Sequence, residues 1–306
     1  MNHELAVIGA GPAGFSAGIY AGRAGINTVV FDKGNGGGLA AISPKIENYP
    51  GFESISGIEL VEKMKRHAEK YCTLRFYEEV TSIKKIGEKF NVETTEDTYE
   101  VGAIILAMGT EHRKLDVPGE KEYQGRGVSY CVTCDGFFFK DKKVAVVGGG
   151  NTALVEAIYL KQVGCREVYV IHRRDQLRAE KTYQQEAIDK GINFLLNKTV
   201  KEIKGDEVVK NLILIDVETK EETILPIDGV FISIGVIPQN KLAEQLQVKL
   251  TEQGYIIVDS EMRTNIRGVY AAGDITGGLR QIVTAVAEGA TAALTSTEAL
   301  GKSYPY

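Results

Sequence analysis

The chain has 306 residues, 43% hydrophobic and 25% charged, which is typical of a globular protein long enough for two domains. Its 36 Lys and Arg against 41 Asp and Glu give a formal net charge of −5, which excludes a general attraction to nucleic acid or to an anionic membrane. Apolar runs such as residues 103–109 are far shorter than the roughly 18 residues that cross a bilayer, so they predict buried strands. Because the first residues run directly into an apolar strand, no signal peptide is expected and a cytoplasmic location is predicted.

Residues 5–14, LAVIGAGPAG, predict the first nucleotide-binding turn. A short apolar strand is followed by Gly9, Gly11 and Gly14 in G-x-G-x-x-G spacing, and then by a helix rich in small residues. Such glycines let the backbone approach a pyrophosphate, which binds the free N–H groups at the helix N-terminus. Asp32 ends the next strand, where a carboxylate would accept hydrogen bonds from a ribose diol. This pattern predicts FAD or NAD as the ligand.

Two of the four cysteines, Cys131 and Cys134, form a CxxC pair. In a cytoplasmic protein such a pair is more often redox-active or metal-binding than structural. A zinc site needs more ligands, and Cys72, Cys165 and the scattered histidines form no second pair at ligand spacing, so no metal is predicted. We expect these two other cysteines to be inert thiols. Asp135 is the nearby titratable group that could transfer the thiol proton.

Three phenylalanines, residues 137–139, follow the pair. The main expectation is that they pack in the core under the first turn of a helix, with a docking surface for a partner as the alternative.

Residues 144–153, VAVVGGGNTA, repeat the layout of the first turn. Two glycine-rich loops, each between a strand and a helix, are a much stronger signal than one. The strand that follows ends in a group of cations: His172, Arg173, Arg174 and, one helical turn further on, Arg178. Because several cations can bind a 2′-phosphate through charge-assisted hydrogen bonds, this second site favours NADPH over NADH. The alternative is a solvated basic patch.

Residues 268–278 predict a third element, a strand that ends in Gly273 and Asp274 and leads into a helix rich in small residues. A carboxylate there could bond the ribityl chain of a flavin, and the helix N-terminus could face the pyrimidine end of the ring. Taken alone, the stretch could be any buried helix at the end of an α/β fold.

Together, these motifs resemble the low-molecular-weight, FAD-dependent thioredoxin reductases, class II of the pyridine nucleotide-disulfide oxidoreductases. The resemblance covers essentially the whole chain and is carried by GAGPAG, IENYPG (46–51), ILAMGT (105–110), GVSYCVTCDGFFF (127–139), GGGNTA (148–153), HRRDQLRAEK (172–181) and GVYAAGD with Arg280 and Gln281. It implies an α/β fold with two Rossmann-like three-layer nucleotide-binding domains, the second inserted into the first. The FAD domain would comprise residues 1–113 and 244–306, and the NADPH domain residues 114–243, in a homodimer.

The resemblance also assigns residues to each cofactor. Those implied for FAD are Gly9, Gly11, Pro12, Ala13, Gly14, Asp32, Lys33, Gly37, Gly38, Leu39, Asn48, Gly109, Gly273, Asp274, Arg280, Gln281 and Ile282. Those implied for NADPH are Gly148, Gly149, Gly150, Asn151, Thr152, His172, Arg173, Arg174 and Arg178.

In the reaction that the resemblance implies, electrons pass from NADPH through FAD to a Cys131–Cys134 disulfide and then to thioredoxin or a thioredoxin-like protein. Cys134 would face the flavin, Cys131 would attack the partner disulfide, and Asp135 completes the catalytic set. Because the pair and the second nucleotide loop lie in one domain, the two would take turns at the flavin by domain rotation. The alternatives are a reductase of another protein or small-molecule disulfide, and a flavin redox sensor without turnover.

Overall fold

The computed structural model describes residues 3–303 of the chain. Two compact units share it: the first comprises Met1–Glu111 and Ile237–Tyr306, and the second His112–Val236. The chain returns to the first unit after Val236, whereas the predicted domain boundary lies between residues 243 and 244. Ala243, which the prediction placed in the second domain, belongs to the hydrophobic core of the first unit.

Strands and helices follow one another along the chain in three stretches. Before the second unit the elements are β1 (Leu5–Ile8), α1 (Pro12–Arg23), β2 (Thr28–Asp32), a 3-10 helix (Gly38–Ile42), α2 (Gly57–Ala68), β3 (Thr73–Phe76), β4 (Val80–Ile86), β5 (Lys89–Thr94), β6 (Thr98–Val101), β7 (Ala103–Leu106) and β8 (Thr110–His112). The second unit contributes β9 (Val128–Ser129), α3 (Val132–Asp135), a 3-10 helix (Gly136–Phe139), β10 (Lys143–Val147), α4 (Asn151–Gln162), β11 (Glu167–Ile171), α5 (Lys181–Asp189), β12 (Asn193–Leu195), β13 (Lys198–Gly205), β14 (Val209–Asp216), β15 (Glu222–Pro226) and β16 (Gly229–Ile232). The chain then continues through β17 (Val236–Pro238), α6 (Lys241–Gln245), β18 (Val269–Ala271), a 3-10 helix (Asp274–Thr276) and α7 (Ile282–Thr295).

A five-stranded sheet, in the order β18-β7-β1-β2-β3, forms the centre of the first unit, and all its strand pairs are parallel. Successive residues of β1 face opposite sides of this sheet. Leu5 and Val7 lie in one hydrophobic cluster with residues of α1 and α7, whereas Ala6 and Ile8 lie in another with residues of the antiparallel sheet β4-β5-β6. The unit therefore has three layers, with helices on one face and an antiparallel sheet on the other.

The second unit repeats this architecture. Its parallel sheet has the order β12-β11-β10-β16-β9. Val144 and Val146 pack with residues of α4, and Ala145 and Val147 pack with residues of β13 and β14, which belong to the second antiparallel sheet. The predicted α/β fold with two Rossmann-like three-layer units, one inserted into the other, is therefore confirmed.

Over residues 3–303, no helix combines the length and the apolar character that a membrane span needs.

Candidate active site

The first nucleotide loop joins β1 to α1. A Cβ on Gly9, which has φ +102°, would lie 2.4 Å from the Ala107 carbonyl oxygen, and a Cβ on Gly14 would lie 1.8 Å from the Gly9 carbonyl oxygen. Gly11 differs, because its φ of −79° suits any residue and a Cβ there would meet nothing within 4 Å. Gly9 and Gly14 are thus required by packing. The space beside Gly11 lies at the N-terminus of α1, where a phosphate would find free N–H groups.

Two other segments of the first unit lie beside this loop. A Cβ on Gly38 would lie 3.7 Å from the Gly11 Cα, and a Cβ on Gly273 would lie 2.9 Å from the Ala13 Cβ. The structure therefore brings together three of the segments implied for FAD, although they are far apart in the sequence. Pro12 begins α1, Gly37 has φ +96°, and Leu39 lies in the 3-10 helix that follows.

Asp32 organises the first nucleotide loop. Its Oδ2 accepts a hydrogen bond from the Ala10 N–H and its Oδ1 from the Gly34 N–H, both at 2.8 Å. A carboxylate has about four acceptor sites, so this one retains capacity for a ribose diol. The neighbouring Lys33 points elsewhere and forms an exposed salt bridge of 3.3 Å with Glu111.

At the C-terminal end of β18, a half-buried carboxyl group, that of Asp274, follows Gly273. Burial raises the pKa of Asp274, and the charge of Arg280 opposes that shift. Glu288 on α7, which no sequence motif indicated, accepts hydrogen bonds from the Gly273 N–H at 2.7 Å and the Thr276 hydroxyl at 3.2 Å. Glu288 therefore holds the turn that presents Asp274. An acidic residue inside the small-residue helix was its signal in the sequence.

The N-terminus of α7 is tied to another segment implied for FAD. The Asn48 amide donates to Gln281 Oε1 at 3.1 Å, and Gln281 forms a capping box with Thr284 just before Ile282 begins the helix. Gly109, with φ +66°, follows β7.

The second nucleotide loop joins β10 to α4 and has the same design as the first. A Cβ on Gly148 would lie 2.4 Å from the Ser233 carbonyl oxygen, whereas a Cβ on Gly150, which has φ −97°, would meet nothing within 4 Å. Asn151 and Thr152 are exposed on the first turn of α4, and Asn151 Oδ1 accepts a hydrogen bond from the Glu180 N–H at 2.8 Å. Space is therefore free beside Gly150 at a second helix N-terminus.

The cations after β11 separate into two kinds. His172 is buried beneath the loop, where a Cβ on Gly149 would lie 2.3 Å from its Nδ1. Burial, followed by the charges of Arg178, Arg174 and Arg173, lowers the pKa of His172. The three arginines are exposed, and no salt bridge joins them to a carboxylate within residues 3–303. His172 thus supports the loop as a neutral ring, and the arginines supply the positive charge.

Cys131 and Cys134 form a disulfide bond. Cys131 caps the short helix α3, and its sulfur accepts a hydrogen bond from the Cys134 N–H at 3.2 Å. After reduction the same N–H would stabilise a thiolate on Cys131, and the thiolate is the nucleophilic form of cysteine. This geometry favours Cys131 as the attacking sulfur.

Asp135 follows the pair and is half-buried. Its Oδ2 accepts a hydrogen bond of 2.6 Å from the Ser129 hydroxyl, while its buried Oδ1 has no hydrogen-bond partner among the described residues. Burial raises the pKa of Asp135, and the bond from Ser129 opposes this shift. The carboxyl group therefore keeps its proton to higher pH than an ordinary aspartate, as an acid beside a disulfide should. Ser129, close to the pair in sequence, was not identified from the sequence.

The remaining thiols, Cys72 and Cys165, are free, and their lack of reactivity stays a prediction. Burial raises the pKa of Cys72 to about 12 and that of Cys165 to about 11. Of the three phenylalanines, Phe139 packs against Phe231 with ring centroids 5.3 Å apart. Phe137 is 65% exposed, so the prediction that it packs in the core is wrong, because the 3-10 helix after α3 turns this ring outwards.

Comparisons with known proteins agree with this arrangement. Residues 3–289 match the sequence profile of the family described as pyridine nucleotide-disulphide oxidoreductase. Thioredoxin reductase from Bacillus subtilis (strain 168) is 45% identical over 294 residues, which cover 95% of this chain and 92% of that one. The chain also resembles the structure of thioredoxin reductase from Streptococcus pyogenes MGAS5005, with a TM-score of 0.93, 41% identity and 98% coverage of both chains. For thioredoxin reductase from Giardia duodenalis the TM-score is 0.93 at 34% identity, with 98% of this chain and 99% of that chain covered.

The chain therefore belongs to the pyridine nucleotide-disulphide oxidoreductases and, within them, to the thioredoxin reductase family, as its motifs predicted. It is an oxidoreductase enzyme.

Proposed function

We propose that the protein is a thioredoxin-disulfide reductase that passes electrons from NADPH, through FAD, to the Cys131–Cys134 disulfide and on to thioredoxin. The observation that carries this proposal is the disulfide itself, which is followed by a half-buried acid and lies in the unit with the second nucleotide loop. The relatives named thioredoxin reductase, which match over nearly the whole chain, support the choice of partner.

The residues of the first unit fit FAD. The open space beside Gly11 and the convergence of Gly38 and Gly273 on the same loop leave a cradle that a Cβ at Gly11 would enter. In our proposal the pyrophosphate lies at the N-terminus of α1, Asp32 binds a ribose, and Asp274 binds the ribityl chain. When bound, FAD supplies a ring that accepts a hydride from a nicotinamide and returns two electrons to a disulfide.

The residues of the second unit fit NADPH. Gly150 leaves the same kind of space at the N-terminus of α4, and the exposed Arg173, Arg174 and Arg178 follow β11. The 2′-phosphate of NADPH would form charge-assisted hydrogen bonds with these guanidinium groups. NADH has no 2′-phosphate and cannot form these bonds.

The chain's own residues perform the disulfide chemistry. Reduction breaks the S–S bond, adds two electrons and leaves two thiolates, and Asp135 supplies a proton at this point. The Cys131 thiolate, stabilised by the Cys134 N–H, attacks the thioredoxin disulfide, forms a mixed disulfide and releases one thioredoxin thiolate. Cys134 then attacks Cys131, which re-forms the internal disulfide and releases the second thioredoxin sulfur.

The proposal extends to the whole protein. We place it in the cytoplasm as a homodimer that binds neither nucleic acid nor a membrane surface, in keeping with its net charge of −5. Sedimentation of the purified protein tests the dimer directly.

The first experiment is anaerobic mixing of the purified yellow protein with one equivalent of NADPH or NADH, followed by stopped-flow absorbance of the flavin. We expect NADPH to bleach the flavin at least tenfold faster than NADH, since each lost charge-assisted hydrogen bond costs on the order of 2 kcal/mol. Thioredoxin should then be reduced by the wild type and not by Cys134→Ser, whose flavin should still be bleached.

Cys165→Ser is the matched control, because that thiol is buried and its pKa is raised. It should behave like the wild type in both steps. Bleaching of the flavin without reduction of thioredoxin or of any small disulfide would favour a redox sensor. Reduction of small disulfides alone would favour a reductase of small-molecule disulfides.

A further inference from the structure

Ser129 contacts both the first cysteine and the acid that follows the second. Its buried side chain, at the end of β9, lies with Oγ 2.6 Å from Asp135 Oδ2 and accepts a hydrogen bond from the Cys131 N–H at 3.1 Å. The disulfide chemistry described above gives this serine no role, yet its position links the two groups that the chemistry uses.

The direction of these hydrogen bonds follows from the distances. The Ser129 hydroxyl has two acceptors in reach, Asp135 Oδ2 at 2.6 Å and the Cys131 carbonyl oxygen at 3.4 Å. The distance to Asp135 is shorter, and a hydrogen bond to an ionised acceptor is stronger, so the Ser129 hydroxyl donates its hydrogen to Asp135 Oδ2. The Cys131 N–H, which donates to the same hydroxyl oxygen, polarises the hydroxyl and strengthens the bond to the carboxylate.

The surroundings of Asp135 offer its carboxylate little else. Its Oδ1 is buried without a hydrogen-bond partner among the described residues. The adjoining 3-10 helix, Gly136–Phe139, carries no titratable side chain, and α4, which packs on α3, carries Glu156, Tyr159 and Lys161. The influences on the pKa of Asp135 are burial, which raises it, and the Ser129 hydrogen bond, which lowers it. The serine is therefore the side chain that favours ionisation.

We propose that Ser129 is a positioning residue for disulfide reduction, which holds the Asp135 carboxyl beside the cysteine pair and sets the pH at which that carboxyl releases its proton. The inference rests on the proposed function in taking Cys131–Cys134 as the working redox pair. In the balanced step the S–S bond takes up two electrons and one proton and becomes the Cys131 thiolate and the Cys134 thiol. The proton comes from Asp135, which is left as a carboxylate bonded to Ser129, and the electrons would be supplied by the flavin that the first unit would hold.

The test is the exchange equilibrium between the pair and dithiothreitol. Purified holoprotein is equilibrated with mixtures of reduced and oxidised dithiothreitol from weakly acidic to weakly alkaline pH, and the reduced fraction is measured by alkylation and mass spectrometry. With all thiols protonated, both couples take two electrons and two protons, so the equilibrium constant depends on pH only where Asp135 or a thiol titrates. We expect the wild type to show a step due to Asp135 that Asp135→Asn lacks, while the changes due to the thiols remain in both.

Ser129→Ala should move this step to higher pH by about one unit, because the ionised carboxylate loses its hydrogen bond in a buried site. The sign follows from the stabilised form: without Ser129 the protonated acid persists to higher pH. Ser129→Thr, which retains the hydroxyl, should restore the wild-type step. Thermal melting of each variant checks that the fold is intact, and a merely structural serine would change the melting temperature without moving the step.

An unmoved step in Ser129→Ala, a missing step in the wild type or a persisting step in Asp135→Asn would each overturn the inference. None of these measurements needs NADPH or thioredoxin. If the step moves as expected and the wild type still fails to reduce thioredoxin, the inference stands while the proposed partner is wrong.

Discussion

At the scale of single residues, glycine can be required by the protein or by its ligand, and the first nucleotide loop contains both cases. Gly14→Ala would push a Cβ to 1.8 Å from the Gly9 carbonyl oxygen, whereas Gly11→Ala meets nothing within 4 Å and has an ordinary φ. We expect Gly11→Ala to fold like the wild type but to bind FAD at least tenfold more weakly, because its methyl group occupies the space for the pyrophosphate. Gly14→Ala should lower the free energy of unfolding by about 1–3 kcal/mol.

Flavin fluorescence titration of the apoprotein measures the first effect, and urea unfolding of the apoprotein measures the second. Wild-type FAD affinity in a folded Gly11→Ala variant would mean that the space beside Gly11 serves another purpose.

The sequence predicted residues whose chemistry is set by a local motif, such as the loop glycines, Asp32 and the cysteine pair. The sequence did not predict the role of Glu288. This side chain accepts a hydrogen bond from the Gly273 N–H, and the two groups meet only because α7 packs beside the turn. His172 illustrates the opposite case. Its place after β11 suggested a cation, but burial under Gly149 lowers its pKa, and burial depends on the complete fold.

At the scale of elements, one buried carboxylate ties the start of the second unit to the segment before the cysteine pair. Glu120 is 4% exposed and accepts hydrogen bonds from the Leu115 N–H at 2.9 Å, the Asp116 N–H at 2.7 Å and the Tyr130 hydroxyl at 2.7 Å. Glu120→Ala would leave these donors without their acceptor, so we expect the free energy of unfolding to fall by about 3 kcal/mol.

Urea unfolding followed by circular dichroism measures the loss. Glu122→Ala is the matched control, since the same residue type lies exposed two positions further on. Equal stability of the two variants would show that the carboxylate of Glu120 contributes nothing beyond an exposed one.

Elements of the parallel sheets were predictable, because strands such as β1 and β7 are continuous apolar runs buried on both faces. The two three-stranded antiparallel sheets were not predicted. β4 has only two buried positions among seven residues, and its pairing with β5 contains a register shift between Val80 and Ser82, which no local sequence pattern specifies.

At the scale of the whole molecule, the two units differ in how the chain builds them. The second unit is one continuous stretch, residues 112–236, with its own core clusters. The first unit needs both ends of the chain, because β18 pairs with β7, and a Cβ on Gly289 of α7 would lie 2.1 Å from the Ala13 carbonyl oxygen of α1. The alternating use of the flavin by nicotinamide and disulfide stays a prediction at this scale.

We expect a fragment of residues 112–236 to fold alone and a fragment of residues 1–111 to remain largely unfolded, because the latter lacks the edge strand and the helix that cover its core. Circular dichroism with thermal melting of both fragments gives the result. A cooperative transition in the N-terminal fragment, or none in the central one, would contradict this division.

The discontinuity of the first unit also affects how the protein is made. A ribosome releases β1, α1 and β2 early, but β18 and α7 emerge only after the entire second unit has been synthesised. The second unit can therefore fold before the first unit is complete, which reverses the usual N-terminal-first order. During that interval the apolar faces of β7 and α1 lack their final neighbours and form a surface that a chaperone would recognise on the nascent chain.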